Sequence, residues 1–98
     1  MMNENWCQAI RERKRVRLTY GGGGRLVEMH IYGTDAAGEP YVRAFQVSGH
    51  SNTGTPTGWK LFRAEEVHDW SVTPETFTGP RAGYKPDDPV VTNVYCRI

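Results

Sequence analysis

Residues 15–32 read RVRLTYGGGGRLVEMHIY, two runs of alternating apolar and polar side chains around four glycines. Alternation with a period of two is typical of a strand that buries one face. Glycine adopts positive φ at low cost, so the run at 21–24 predicts a hairpin turn. The second strand, at about 25–32, is expected to bury the face formed by Val27, Met29 and Ile31. Its other face carries Glu28, His30 and Tyr32.

The segments on either side of this hairpin extend the β pattern. After a turn at 35–38, three more strands are predicted at 40–48, 59–63 and 67–72, with a single helical turn at 64–66. A polar, glycine-rich loop is expected at 49–58. A helix is predicted over 4–13, where Trp6, Ala9 and Ile10 form an apolar stripe too short to support a free helix, so it must pack on another part of the protein.

The composition indicates one small domain. The chain has 98 residues with 11 glycines and 6 prolines, which favours short strands and tight turns over a helical bundle. We therefore expect a mainly β protein, a small five-stranded barrel with a short N-terminal helix in residues 1–77. Apolar side chains recur between the later prolines, so residues 78–98 predict an extended tail packed on the barrel, with a short strand at about 90–95.

Charge and cysteine content limit the partners and the compartment. Twelve basic and 11 acidic residues give a net charge of +1, whereas a non-specific nucleic-acid binder usually has a clear positive excess. No apolar run approaches about 18 residues, and the first residues lack a signal-peptide pattern. Small secreted domains usually carry several disulfides. Cys7 and Cys96 therefore predict two reduced thiols in a cytoplasmic protein without a membrane partner.

The order of elements and three local segments resemble the WYL domain, the SH3-like β-barrel sensor domain of bacterial transcriptional regulators. RLVEMH at 25–30 resembles a family segment of arginine, apolar residue, glutamate and proline. GEPYVRA at 38–44 resembles the segment that gives the family its name, with Pro40 and Val42 in place of tryptophan and leucine. KLFRAEEV at 60–67 resembles a third segment, although Lys60 and Glu66 stand where arginines are frequent. The resemblance covers roughly residues 6–77 and implies a stand-alone, ligand-binding SH3-like barrel.

The resemblance and the strand pattern together predict a ligand-binding patch of basic and aromatic side chains. Arginine offers planar donors to phosphate, and tyrosine can stack on a base. The predicted ligand-binding residues are Tyr20, Arg25, His30, Tyr41, Arg43, Lys60 and Arg63. Arg43 shares its side of the strand with apolar residues. It either marks the edge of the patch or pairs with an acid such as Glu28 or Glu39.

A second basic cluster lies between the helix and the first strand. Its members are Arg11, Arg13, Lys14, Arg15 and Arg17. The cluster either holds phosphates or forms a solvated surface. Alternation around Val16 favours the solvated surface for Arg15 and Arg17.

The sequence shows no catalytic or metal-binding motif. The three histidines and two cysteines lack ligand spacing, and the glycine run lacks the lysine of a P-loop. Cys7 has no nucleophile signature, and the Asp87-Asp88-Pro89 stretch predicts a turn. We therefore predict no enzymatic activity and no cofactor. The first functional hypothesis is a regulatory module that binds single-stranded nucleic acid or a nucleotide-like phosphorylated ligand. The second is a protein-interaction or homodimerisation domain, suggested by the apolar Trp59 and Trp70.

Overall fold

The computed structural model describes residues 2–98 and shows a mainly β protein with one helix. The elements in chain order are α1 (Glu4–Glu12), β1 (Lys14–Tyr20), β2 (Gly23–Thr34), β3 (Pro40–Gly49), β4 (Gly58–Arg63), a 3-10 turn (Ala64–Glu66), β5 (His68–Thr76) and β6 (Asn93–Arg97). The predicted helix, the five predicted strands and the single helical turn are present, with shifted ends. No helix within residues 2–98 has the length and apolar content needed to cross a membrane.

A two-residue turn joins β1 to β2. Tyr20 pairs with Gly23, and the turn residues Gly21 and Gly22 have φ of 60° and 88°. Both values are positive, as a type I′ hairpin turn requires, and the twist of that turn matches the twist of paired strands. Two of the four predicted turn glycines thus form the turn, while the other two begin β2.

The six strands form one antiparallel sheet. Its order is β4-β3-β2-β1-β5, and β6 pairs with the second half of β2, beyond the part that pairs with β1. Hydrogen bonding does not close the sheet into a barrel, because β4 and β5 stay at its two ends within the described residues. The β6 strand begins later than the predicted 90–95 because the Asp88 carboxylate accepts hydrogen bonds from the backbone N–H groups of Val90 and Val91, which form a turn.

A bulge in β2 overturns part of the predicted strand pattern. The β2–β3 register shifts between Met29 and Ile31, so the strand gains one residue there. Tyr32 then lies opposite Val42 and joins the core, whereas Ile31 lies opposite Arg43 on the other face. The prediction that Ile31 shares the face of Val27 and Met29 is therefore wrong, because a one-residue bulge exchanges the two faces.

The main core lies between the inner face of the sheet and α1. The helix buries four side chains against the strands: Trp6, Cys7, Ala9 and Ile10. The sheet contributes Val16, Leu18, Val27, Met29, Tyr32, Val42, Ala44 and Phe62. The Asn3 side chain caps the start of the helix, and Arg13 ends it in a left-handed conformation.

A disulfide joins Cys7 in α1 to Cys96 in β6, with their Cα atoms 5.6 Å apart. The prediction of two reduced thiols is therefore wrong. The sequence separation of 89 residues hid the pairing, because nothing in the sequence shows that the helix and the last strand meet. The bond ties the helix that covers the inner face to the strand that pairs with the second half of β2.

Residues 78–92 lie across the outer face of the sheet, on the side away from α1, and β6 then joins the sheet beside β2. Val91 is buried there, and the Tyr84 hydroxyl donates to the backbone oxygen of Ile98. Strand β6 passes so close to Gly33 that a Cβ at this position would meet the Asn93 carbonyl oxygen. The outer face therefore holds a second set of buried side chains, including Glu28 and His30.

Candidate functional site

The seven side chains predicted to form one patch lie in separate places. Tyr20, Arg25 and Lys60 belong to the inner face of the sheet, near the end of the β1–β2 hairpin. Tyr41, Arg43 and Arg63 lie on the outer face of β3 and β4, and His30 is buried under residues 78–98. The division follows from the β3–β4 register, which pairs Tyr41 with Arg63 but pairs Lys60 with Ala44 on the opposite face.

Arg25 is a structural side chain in this fold. It is 6% exposed, and its Nε and Nη1 donate to the Tyr20 backbone oxygen and the Gln46 amide oxygen. Its guanidinium carbon lies 5.4 Å from the ring centroids of both Tyr20 and Phe62. Burial lowers the pKa of Arg25. With its side chain buried and Nε and Nη1 bonded within the chain, Arg25 closes the end of the core.

Lys60 and Arg63 also have partners within the chain. The Lys60 ammonium donates to the Thr55 backbone oxygen at 2.7 Å, which fixes the polar loop against β4. Arg63 pairs with Glu39 at 3.0 Å and lies over the Tyr41 ring. Its side chain is half exposed, so this group sits at the surface and retains free donors.

Arg43 pairs with a carboxylate that the sequence did not suggest. Its Nε and Nη2 donate to the two Asp88 oxygens at 2.8 and 3.3 Å. Hydrogen bonds from Arg43 and from two backbone N–H groups hold the pKa of Asp88 below its usual range, although burial acts in the opposite direction. Glu28 and Glu39, the two predicted partners, pair with other arginines. The Asp88 pairing anchors the chain after β5 to β3.

Glu28 is the centre of a buried ion cluster. Its side chain is fully buried, and it accepts hydrogen bonds from Arg81 at 2.7 Å and from Arg15 at 2.9 Å. Burial alone would raise the pKa of Glu28, but the hydrogen bonds from Arg81 and Arg15 hold it below its usual value. Arg15 also reaches Glu75, so it lies in this cluster and not on a fully solvated face.

His30 is enclosed by aromatic rings. The ring centroids of Trp59, Tyr84 and Phe77 lie 4.7, 5.3 and 5.7 Å from that of His30. Nδ1 lies 2.8 Å from the Glu28 carbonyl oxygen, and Nε2 accepts from the Arg81 backbone N–H at 3.2 Å. These contacts specify the neutral tautomer with its proton on Nδ1. His30 therefore supports residues 78–98 and does not face a ligand.

The burial of His30 predicts a pH-dependent stability. Burial lowers the pKa of His30, although the Glu28 carbonyl opposes this effect. Below about pH 6.5 the unfolded chain binds a proton that the folded chain resists, so stability should fall as pH decreases from about 6.5 through the lower folded pKa. Urea unfolding at pH 7.5, 6.5 and 5.5 measures this effect. His30→Gln should flatten the pH dependence of stability, whereas His68→Gln, at an exposed position, should not. If the stability of the wild type does not change over this pH range, the prediction is wrong.

A cleft of about 190 Å³ lies between the outer face of β3–β4 and the segment before β6. We call it the tail cleft; it is lined by Arg43, Trp59, Gly83, Tyr84, Lys85, Asp88 and Pro89. The rings of Trp59 and Tyr84 are nearly parallel, with an interplanar angle of 21° and centroids 6.3 Å apart. The Trp59 indole N–H donates to the Ala82 backbone oxygen, which fixes the ring.

The tail cleft combines aromatic faces with free nitrogen donors. Arg43 uses Nε and Nη2 on Asp88, which leaves Nη1 free of a partner within residues 2–98. Lys85 is exposed and makes no ion pair among the described residues. Of the seven predicted residues, only Arg43 lines this cleft. Sequence reasoning missed Tyr84 and Lys85 as site residues; the recurring apolar positions after Phe77 signalled docking of this segment but not a cleft beneath it.

The acidic side chains and histidines are the kinds of group that a metal site would need. Within residues 2–98, no three histidine, cysteine or carboxylate side chains come together as a metal site would require. The Asp87-Asp88 pair lies in a turn, where Asp88 accepts the two backbone hydrogen bonds described above and Asp87 is exposed. The tail cleft is thus the best-defined meeting point of basic and aromatic side chains.

In comparisons with known proteins, no protein-family model matches the chain, and neither curated proteins nor solved structures give a significant match. The WYL resemblance therefore stays a prediction from the sequence. The case for a function rests on the geometry of the tail cleft.

Proposed function

We propose that the chain is a non-enzymatic binding module of the WYL type that binds a nucleotide, free or within a single strand, at the tail cleft. The observation that carries this proposal is the pair of nearly parallel rings, Trp59 and Tyr84, in one cleft with Arg43 and Lys85. Ring faces stack on any base, and the two cations offer donors to phosphate.

The size of the tail cleft limits what can enter it. Pockets that enclose whole drug-sized ligands measure about 300–1,000 Å³, whereas this cleft measures about 190 Å³. One ring or one phosphate group therefore fits, and the rest of the ligand lies on the surface. A double helix presents its bases inside the stack, so the cleft favours a single strand or a free nucleotide.

The charge of the cleft indicates weak, salt-sensitive binding. Asp88 neutralises Arg43, which leaves Lys85 as the cation without a carboxylate partner among residues 2–98. The exposed Asp87 lies two residues away in the chain and opposes an anion. About one phosphate is therefore neutralised, so log affinity for a single strand should fall against log salt with a slope of about −0.7.

Titration of the protein with short single-stranded DNA and RNA and with nucleoside monophosphates, at low and physiological salt, tests the proposal. Lys85→Ala should weaken binding about 3- to 10-fold and bring the salt slope close to zero, because the phosphate contact is lost. Arg11→Ala is the matched control, since Arg11 is an exposed cation on α1 outside the cleft. Equal binding by wild type and Lys85→Ala, or the absence of millimolar binding, would overturn the proposal.

We also propose that the sheet has an SH3-like arrangement. Four strands follow each other as neighbours from β1 to β4, a 3-10 turn follows β4, and β5 returns to pair with β1. The Tyr20 hydroxyl accepts a hydrogen bond from the Arg63 backbone N–H, which links the end of β1 to the end of β4. This order and this link support an SH3-like arrangement in which the sheet curls without complete hydrogen-bonded closure.

A further inference from the structure

The strand β5 forms one end of the sheet. It pairs with β1 along one edge, and within residues 2–98 its other edge has no strand partner. Its side chains are mostly exposed over nine residues. Pro74 lacks a backbone N–H, so it blocks ladder formation near the end of the strand. The β1–β5 register also shifts beside the left-handed Asp69 and again after Val72, so the regular edge is residues 70–73, long enough for a short added strand.

Trp70 separates two clefts beside this edge. On one side, a cleft of about 200 Å³ lies between β5 and α1, with Ala9, Trp70 and Val72 as its apolar wall. On the other side, a cleft of about 260 Å³ is lined by Trp6, Tyr32 and Val67 among others. Val72 is 42% exposed, which is high for a large apolar side chain in a sheet. An added strand could place an apolar side chain in contact with Trp70 and Val72.

The surface around these clefts is acidic. Residues 64–76 contain four carboxylates and no lysine or arginine. Glu65 lines the larger cleft and Glu12 lines the smaller one. Neither these two carboxylates nor Asp69 pairs with a cation within residues 2–98. The negative charge is therefore available to a partner.

This charge decides between candidate occupants. A nucleic acid would bring phosphates against the carboxylates, and a second copy pairing through the same edge would bring two acidic strands together, which is unfavourable. A basic peptide segment would instead form favourable charge pairs with these carboxylates. The cleft wall also contains Trp6, whose indole N–H is buried without a hydrogen-bond partner in the described part of the chain.

We propose that the free edge of β5 docks an extended peptide segment of a partner protein, in which basic residues alternate with apolar ones, as an added strand. Backbone hydrogen bonds to residues 70–73 supply affinity, and the clefts beside Trp70 select apolar side chains on one face of the peptide. Lysine or arginine on the peptide pairs with Glu12, Glu65 and Asp69. This surface is distinct from the tail cleft, so either site can fail without the other.

Calorimetric and NMR titrations with a capped octapeptide that alternates lysine and valine test the proposal. Binding with amide shifts confined to residues 65–73 and the facing side of α1 is expected. An octapeptide of alternating glutamate and valine should not bind. A lysine–valine peptide that is methylated on alternate backbone nitrogens should bind at least 10-fold more weakly, because the N–H donors of the β-ladder are removed. Unchanged affinity of the methylated peptide would overturn strand addition.

Variants of the chain complete the test. Glu65→Gln with Asp69→Asn should weaken the lysine–valine peptide about 3- to 10-fold. Asparagine suits position 69 because Asp69 has φ of 49°, a conformation that asparagine tolerates. Asp87→Asn, an exposed acid outside the edge, is the matched control and should leave binding unchanged. If the wild type does not bind the peptide, the proposal is overturned. If its mass doubles with concentration and Val72→Lys abolishes the doubling, the edge binds a second copy of the chain instead of a peptide.

Discussion

Removal of the Cys7–Cys96 disulfide is expected to lower the free energy of unfolding by about 4 kcal/mol. The bond closes a loop with a sequence separation of 89 residues, and the chain-entropy estimate for a loop of about 100 residues is about 4.7 kcal/mol. Cys7 is buried against the core, so both partners should be replaced together by alanine. Urea unfolding of the wild type, of the wild type with a reductant, and of the double variant gives the measurement.

The reductant serves as the control for this experiment. It should destabilise the wild type and leave the double alanine variant unchanged. Two free thiols in the intact mass of the air-oxidised protein, or a wild type indifferent to reductant, would refute the prediction. The same thiol count in cell extracts tests the cytoplasmic location predicted from the sequence, because cytosolic thiols are normally kept reduced whereas disulfides persist in oxidising compartments.

Replacement of Glu28 by glutamine is expected to cost about 2–3 kcal/mol. Glu28 is fully buried between Arg15 and Arg81, and removal of one partner from a buried ion pair typically costs about 3–5 kcal/mol. The side chains of Arg15 and Arg81 are 23% and 38% exposed, so water can solvate them partly. The loss of stability should therefore lie at or below the lower end of that range. Glu75→Gln, which removes the exposed partner of Arg15, is the matched control and should change stability by no more than about 0.5 kcal/mol.

The pH dependence of this variant has a defined sign. The folded-state pKa of Glu28 lies below its usual value, so its contribution is present above about pH 4.3 and is lost as the pH falls through the folded pKa. The deficit of Glu28→Gln relative to the wild type should therefore shrink below about pH 4. A deficit that is the same at pH 7 and pH 3 would show that packing, and not charge, accounts for the loss.

Local sequence signals were enough to predict most elements of the fold. Alternation on both sides of residues 21–24 identified the hairpin strands, because burial of one face imposes a period of two. The glycine run identified the turn, because the turn requires positive φ. The same rule failed at Ile31 and Tyr32. A bulge adds one residue through backbone geometry, and no residue type marks that position in the sequence. The strand at 93–97 was displaced from its predicted position by the hydrogen bonds of Asp88.

The candidate site was less predictable, because it depends on which charges meet across the chain. For Arg43 the sequence left open an edge position in the patch or a pairing with Glu28 or Glu39, and its carboxylate partner comes from 45 positions away. Glu28 was predicted on the face opposite Val27 and Met29 and as a candidate partner of Arg43, but it is covered by a segment that carries Arg81, 53 positions away. Strand periodicity describes one strand at a time and carries no information on a segment without regular structure that later crosses it.

The Cys7–Cys96 bond also makes most of the chain a covalent ring. Most residues of the polar loop at 50–57 are exposed, so a protease could cut there. One cut would add the mass of one water, and the disulfide would keep the two pieces joined. Each piece would keep strands that pair with the other, since β1 and β2 precede the cut and β5 and β6 follow it. A nicked form should therefore migrate as one species until it is reduced, and it should retain the sheet.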